Sequence, residues 1–375
     1  MSAAGRPWLR RLGLVLGGAL VGLCLAEAVG RLDGFARGND LVFMAPMSYP
    51  RDIYVKGGDM TYPNPKFTGT IQSFGYSVTP RFSQWGTRGD APKPGERTWI
   101  AVGDSFTIAL QVEERETFSA LLATKLGAQV INAGVDGYST WKEAVRAVQL
   151  GRVFPPEGVL ALFFTGNDFA DNRQHGQVDL MSPPPGPGEP GSEGYAVPMM
   201  GVGPHRSPVF QFFRDRSVLV AHYSAWQSTR TTRSGRDPGS RHFKDELGIF
   251  TVEGRARGAD LESTRRALDY LAGACRRLGA RCVVAVVPPS FTMDDDTALR
   301  TFRSVGLDGV TPDLDGAQAD AVGAAKAAGL TTCDLMPALR AAAVAGERPY
   351  LPFDGHLSVR GHQVVADTVA TCIGG

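Results

Sequence analysis

The chain carries almost no net charge: 39 Lys and Arg side chains are balanced by 38 Asp and Glu, a formal charge of +1. Proteins that neutralise many phosphates need a basic excess, so nucleic acid is excluded as a partner. Cysteine is scarce, with five in 375 residues. No spacing resembles a zinc site and His-Glu-x-x-His is absent, so neither a metal nor a cofactor is expected. Histidine is also sparse, at six residues, which shortens the list of candidate bases. There is no internal repeat. What the chain has in quantity is 46 Gly and 25 Pro, enough to imply long connections in a globular protein.

Long apolar runs are limited to one N-terminal stretch. Leu12 to Ala26 contain no charged or strongly polar side chain, and Arg6, Arg10 and Arg11 precede them. At about 1.5 Å per residue this core is short for a ~30 Å hydrocarbon layer, but Glu27 and Arg31 can snorkel and extend it to Gly30. The basic flank places the N-terminus inside. Residues 1–11 are therefore read as cytoplasmic, 12–30 as a signal anchor, and the remainder as facing the periplasm or exterior from the cytoplasmic membrane. Ala26-Glu27-Ala28 offers a small-x-small cleavage site, so secretion after signal removal is the alternative. Cys24 follows Leu23, which is too large for the usual lipoprotein position. In an exported domain Cys275, Cys282, Cys333 and Cys372 permit two disulfides in three pairings, or remain buried thiols.

Residues 31–95 read as an irregular, partly β extension that wraps the main domain, because Leu41 to Pro94 are rich in Tyr, Phe, Pro and Gly without a helical period. At Trp99 the pattern becomes alternating strand and helix. Trp99 to Val102 make a strand that stops at Gly103-Asp104-Ser105. Thr117 caps a helix carrying Phe118, Leu121, Leu122 and Leu126, which ends at Gly127. Gln129 to Ile131 form the second strand. Thr140 to Glu143 read as a capping box, with Gly151 as the stop of its helix. Val159 to Phe164 form a third strand with the continuous apolar character of burial on both faces.

Between about 171 and 258 the alternation pauses in an insertion. Residues 182–191 hold five prolines and form an exposed loop. Ser207-Pro208 starts an aromatic helix with Phe210, Phe213, Tyr223 and Trp226, and Ser228 to Arg241 is a polar, basic loop. The insertion is either a lid or a structural flap. Strands then recur at Cys282 to Val287 and Thr331 to Leu335, between helices that carry Leu261 to Leu278 and Ala319 to Ala328. Pro337 suits the first turn of the next helix, and a last helix runs from Ser358 to about Cys372. Five strands with helical crossovers indicate an α/β, doubly wound, flavodoxin-like parallel sheet spanning 96–375.

The chemistry concentrates at strand ends. Ser105 needs an adjacent base to become a nucleophile. His175, His205, His222 and His242 lie in the insertion without acidic partners at an obvious spacing, and His362 reads as packing or capping. His356 follows the last strand and has Asp354 two residues away, an acid able to hold the ring through one nitrogen and leave the other for Ser105. Asn132 to Tyr138 and Thr165 to Asp168 offer glycine N–H groups and an amide for a developing oxyanion. Asp104 and Asp168 hold the loops that carry Ser105 and Asn167. Tyr138, Phe164 and Phe169 are core or wall residues near the site. The acidic runs at Asp294 and Asp313 read as helix starts and turns. Gly-x-Ser-x-Gly is absent, which disfavours the α/β-hydrolase elbow.

From about Gly86 to the C-terminus, four blocks in order make the chain resemble the SGNH, or GDSL-type, hydrolase superfamily: Gly103-Asp104-Ser105-Phe106-Thr107, Gly137 after Asn132-Ala133, Asn167, and Asp354 with His356. The resemblance implies Ser105, Asp354 and His356 as catalytic residues, and an oxyanion hole from the Ser105 and Gly137 amides with the Asn167 side chain. The usual last block is Asp-x-x-His, and here only Gly355 intervenes. That form is similar to the periplasmic alginate O-acetyltransferases and other membrane-anchored members acting on cell-surface polymers. The expectation is an extracytoplasmic serine esterase acting on O-acyl or O-acetyl groups, with an acylated carbohydrate or small acyl ester as substrate. The alternatives are an O-acetyltransferase of envelope polysaccharide, partnered by assembly proteins, and a non-catalytic surface protein on the same scaffold.

Overall fold

A computed structural model of the chain describes residues 7–37, 52–57, 60–174, 186–188, 208–234, 244–254, 258–351 and 354–374. The N-terminal helix Pro7–Arg37 contains a 23-residue stretch, Arg10–Leu32, with mean hydropathy 2.1, exposed along most of its length and half-buried at Glu27 and Gly30. It is long and apolar enough to cross a membrane by length and composition. Two antiparallel hairpins follow, β1 (Tyr54–Gly57) with β2 (Met60–Pro63), and β3 (Ile71–Ser73) with β4 (Tyr76–Val78).

The main body is a five-stranded parallel sheet of β5 (Thr98–Val102), β6 (Gln129–Asn132), β7 (Gly158–Phe164), β8 (Arg281–Val287) and β9 (Thr331–Asp334), in the order β6-β5-β7-β8-β9. The three central strands, β5, β7 and β8, read as nearly continuous apolar runs because both faces are covered, and alternate residues enter different cores. On one side Ile100, Val102, Val159, Ala161, Phe163, Val284 and Val286 pack with helices Thr140–Val153, Gly258–Leu278 and Gly316–Ala327. On the other, Trp99, Ala101, Leu160, Leu162, Val283, Ala285 and Val287 pack with Phe118–Leu126, Met336–Val344 and Val359–Gly374. The doubly wound α/β architecture expected from the strand and helix alternation is therefore present.

Local signals mostly act as their chemistry dictates. The Thr117 hydroxyl accepts from Ala120 N at 3.3 Å and Gly127 closes that helix in the left-handed region; such a cap is typically worth ~1 kcal/mol. Asp294 caps Asp295–Ser304, and Asp313 accepts from Gly316 N at 3.0 Å.

Four local expectations need correction. Thr140 is no cap: the helix starts there after Ser139, and Thr140 N donates instead to Asn172 Oδ1 at 2.9 Å. Its supposed capping partner Glu143 is buried. Gly151 does not stop the helix, which continues to Val153; a Cβ there would lie 2.6 Å from the Leu278 side chain, so this glycine permits close helix packing. In the insertion the aromatic segment is two helices, Pro208–Arg214 and Val218–Ser234, and the second consumes half of the loop read from Ser228 onward. Of the proline-rich loop, Gly186 and Pro187 are buried rather than exposed, beside Arg146 and Gly86. Gly188 is exposed, and the other loop residues lie outside the described residues.

The four cysteines pair as Cys275–Cys282 and Cys333–Cys372, and Cys24 is free and exposed. The second disulfide ties β9 to the C-terminal helix across 39 residues, the first spans only seven. Because loop-closure entropy grows with loop length, replacing Cys333 and Cys372 by Ser should cost about 2–4 kcal/mol in chemical unfolding, more than the Cys275/Cys282 pair. Equal losses would contradict this ordering.

Candidate active site

Ser105 opens a four-residue helix, Ser105–Ile108, directly after β5. Asp104 caps it, its Oδ1 accepting from Phe106 N at 2.9 Å. Gly103 precedes them with φ +154°, and a Cβ at this position would lie 2.0 Å from Thr107 Oγ1. Only glycine allows the chain to turn this tightly at the sheet edge. The loop after β6 braces the same turn: Asn132 Nδ2 donates to Thr107 O at 2.7 Å, and Val135 N to Gly103 O at 3.0 Å.

His356 Nε2 lies 2.8 Å from Ser105 Oγ. The other ring nitrogen, Nδ1, bonds Asp354 Oδ1, which also accepts from His356 N at 3.2 Å. Both residues are buried. Burial would push the Asp354 carboxyl up, yet the His356 ring and the bond from Tyr76 hold it below its ordinary value. An ionised carboxylate only accepts, so Nδ1 carries the proton and Nε2 presents its lone pair to the serine hydroxyl. Burial likewise disfavours the imidazolium, but Asp354, Asp136 and Asp104 outweigh it and raise His356 above 6.5. Phe106 packs on the His356 ring at 4.8 Å between centroids and stacks on Phe164 at 3.9 Å, fixing the ring from one face.

Gly137 is exposed on the loop after β6, and Asn167 is half-buried after β7. Asn167 Nδ2 donates to Asp171 at 3.0 Å, and its amide also faces Asp104 beside the nucleophile turn. Asp168 Oδ2 accepts from Phe164 N at 2.8 Å, across the turn that carries Asn167. Tyr138 and Phe169 are buried core residues, while Phe164 is half-buried. His362 is buried and its Nδ1 accepts from Phe118 N at 3.2 Å; burial, then Arg88 and His356, push it down to about 3. His222 lies on Val218–Ser234, and His175, His205 and His242 lie outside the described residues.

Sequence reasoning missed four contributors. Tyr76, from the β3–β4 hairpin of the extension, donates to Asp354 Oδ2 at 2.8 Å. The Arg88 guanidinium is buried and donates to Ile108 O at 2.6 Å and to the carbonyls of Ala109 and Val112, fastening the far end of the nucleophile helix. Neither had a motif to announce it, since a lone Tyr or Arg in an irregular segment is ordinary. Asp136 had been passed over inside its loop, although its charge reaches both His356 and Asp104. Glu143 joins Asp104, Asp168 and Asp171 in one buried acidic group behind the turn. Burial and mutual repulsion push Asp104 to about 6 and Asp171 to about 7, and raise Asp168 and Glu143 as well. Asp168 and Glu143, raised furthest, hold their protons behind the turn, whereas Asp104 remains ionised at neutral pH and its charge reaches His356.

A Ser–His–Asp relay with a half-buried Ser105, on the edge of a five-stranded parallel sheet, is similar to the arrangement of SGNH-type proteins. More particularly, residues 249–374 match the family model described as the SGNH hydrolase-like domain of acetyltransferase AlgX. That stretch, about a third of the chain, contains Asp354 and His356 but not Ser105. No curated protein matches the chain. Solved structures similar to it include a catalytic mutant of Axe2, an acetylxylan esterase from Geobacillus stearothermophilus, at 15% identity, with 76% of this chain and 96% of that chain covered and a TM-score of 0.37. TesA aligns at 14% identity over 74% of this chain and 98% of its own, TM-score 0.34. LAE5, an alpha/beta hydrolase enzyme from the metagenome of Lake Arreo, Spain, aligns at 13% over 76% and 97%, TM-score 0.37. At such TM-scores these likenesses add no weight.

Tyr76→Phe removes one bond to a buried charge, worth about 1.5–3 kcal/mol, so ester turnover should fall by about 10- to 100-fold with KM little changed. An unaltered kcat would assign Tyr76 to packing alone. Only neutral His356 accepts the serine proton, so kcat/KM should rise with pH along a limb whose midpoint lies above 6.5. Asp136→Asn should move that limb to lower pH, and a limb that stays in place would show that Asp136 does not act on His356.

Proposed function

We propose that the protein is an extracytoplasmic serine esterase acting through an acyl-enzyme at Ser105. The observation that carries this reading is the continuous Asp354–His356–Ser105 relay, with Nε2 2.8 Å from Oγ. Ser105 Oγ attacks the ester carbonyl as its proton passes to His356 Nε2. The resulting oxyanion is met by the Ser105 and Gly137 N–H groups and the Asn167 amide. Collapse expels the alcohol, which takes the proton from His356. Water, deprotonated by the same nitrogen, then releases the acid and frees Ser105.

A second reading keeps the site and replaces water by a sugar hydroxyl, which makes the protein an O-acetyltransferase of envelope polysaccharide working with assembly proteins. Its support is the match to the AlgX acetyltransferase domain across Asp354 and His356. Transfer prevails over hydrolysis only where the acyl-enzyme is shielded from water while the acceptor is bound.

The domain division proposed is a cytoplasmic segment 1–11, an anchor 12–30, an extension 31–95 and a hydrolase domain 96–375, with the last two facing the periplasm or exterior. Retention of the anchor is supported by Glu27, whose carboxylate accepts from Ser217 Oγ at 2.8 Å, Val218 N at 2.9 Å and Leu219 N at 3.3 Å. Glu27 thus caps the helix Val218–Ser234, and cleavage after Ala28 would remove that cap.

Ser105→Ala should lower hydrolysis of a short-chain aryl ester by about a thousandfold or more while leaving thermal stability unchanged. A parental rate would remove Ser105 from the chemistry. With an acetyl donor and an oligosaccharide acceptor, acetylated glycan in the products favours the second reading and free acetate alone the first.

A further inference from the structure

We propose that the two helices of the insertion, Pro208–Arg214 and Val218–Ser234, form a lipid-contacting elbow that lies on the membrane beside the N-terminal helix. The inference rests on the anchored reading above and adds to it a second, non-spanning membrane contact.

The elbow is fastened to one end of the apolar stretch. Besides the Glu27 cap, the Arg31 guanidinium donates to Arg216 O at 2.5 Å, and Gly30 packs so closely that a Cβ would lie 2.9 Å from Val218. Glu27 and Arg31 stand in the last turns of Arg10–Leu32. If that stretch spans the bilayer, the turn between the two helices sits at the outer water–lipid boundary.

At that level the elbow displays an exposed apolar surface. Val209, Phe212, Phe213, Tyr223 and Trp226 are each about half exposed or more, at 64%, 53%, 52%, 49% and 54%. Scattered exposed apolar side chains need no explanation, but five on adjacent turns of two packed helices do. Their composition fits one occupant. Tyr and Trp favour the headgroup level, where an apolar ring body and a polar edge are both satisfied. Cations accompany them: the Arg216 guanidinium lies 4.2 Å over the Phe212 ring and that of Arg230 lies 5.6 Å over Trp226. Aromatic side chains in the acyl boundary with arginines at phosphate height are the pattern of an interfacial amphipathic element.

The contact has a consequence for the site. Phe74, in the turn of the β3–β4 hairpin, packs on Val218, Leu219 and Ala221 and lies 5.8 Å from the Arg31 guanidinium. The same hairpin supplies Tyr76 to Asp354. The elbow therefore fixes the height and facing of the site above the lipid, which suits substrates presented at the membrane surface.

The test uses the full chain in vesicles of equal parts phosphatidylcholine and phosphatidylglycerol. An environment-sensitive fluorophore is attached to Cys24, the free thiol among the described residues. In a Cys24→Ala background it is attached instead through Phe212→Cys, Trp226→Cys or Val344→Cys, the last a control on the hydrolase domain at 86% exposure. Circular dichroism checks that each variant is folded. Emission from 212 and 226 should shift to the blue and be quenched by lipids with a nitroxide high on the acyl chain, Cys24 by a deeper nitroxide, and 344 by neither. Quenching at Cys24 with none at 212 and 226 overturns the elbow and leaves the anchor. Absence of quenching at all positions overturns both. A blue shift at 212 and 226 without lipid quenching shows the face covered by protein, a second copy included, and also overturns the proposal.

Discussion

The site depends on a single buried charge. Asp354 sits out of water at the sheet edge, and a carboxylate there is tolerated only while donors surround it. The donors are His356, through ring and backbone N–H, and Tyr76. Each bond that keeps Asp354 ionised also fixes the tautomer and direction of His356, and thereby the approach to Ser105. Burial supplies the rigidity, and the donors supply the charge state.

The extension consequently reaches the candidate site. Its hairpin delivers Tyr76 to the acid, and Arg88 locks the carbonyl end of the nucleophile helix. Tyr54, Met60 and Tyr62 pack against Ile108, Val135 and Tyr138, so the same segment also closes the core behind the two loops that hold Ser105 and Gly137. On the opposite side of the turn burial raises Asp104, Glu143, Asp168 and Asp171, and Asp168 and Glu143 meet their burial cost by taking up protons.

Much of this was legible before the fold was known. The strand ends before Ser105 and Asn167 were visible because β-strands buried on both faces read as continuous apolar runs, which turn residues interrupt sharply, and His356, beyond the helix that follows the last strand, was visible through Asp354 two residues away. Caps such as Thr117 and Asp294 were visible because they act within a few residues. The errors arose where a local signal was overridden at long range. Glu143 has the spacing of a capping box but is drawn into the acidic group, and Gly151 looks like a helix stop but answers to Leu278 on another helix. Tyr76 and Arg88 carried no signal because their partners are 278 and 20 or more residues away.

What the sequence by itself determined was the parallel α/β sheet, the set of chemical residues at its carboxyl edge and the apolar N-terminal helix. These follow from hydropathy period and turn chemistry, which are properties of neighbouring residues. Only the tertiary structure decided which cysteines pair, that Tyr76 completes the relay, that four acids share one buried site, and that Glu27 reaches across to cap Val218–Ser234. The physical reason is the same for all: each is a contact between side chains far apart in the chain, and its energy comes from burial that exists only once the layers have packed.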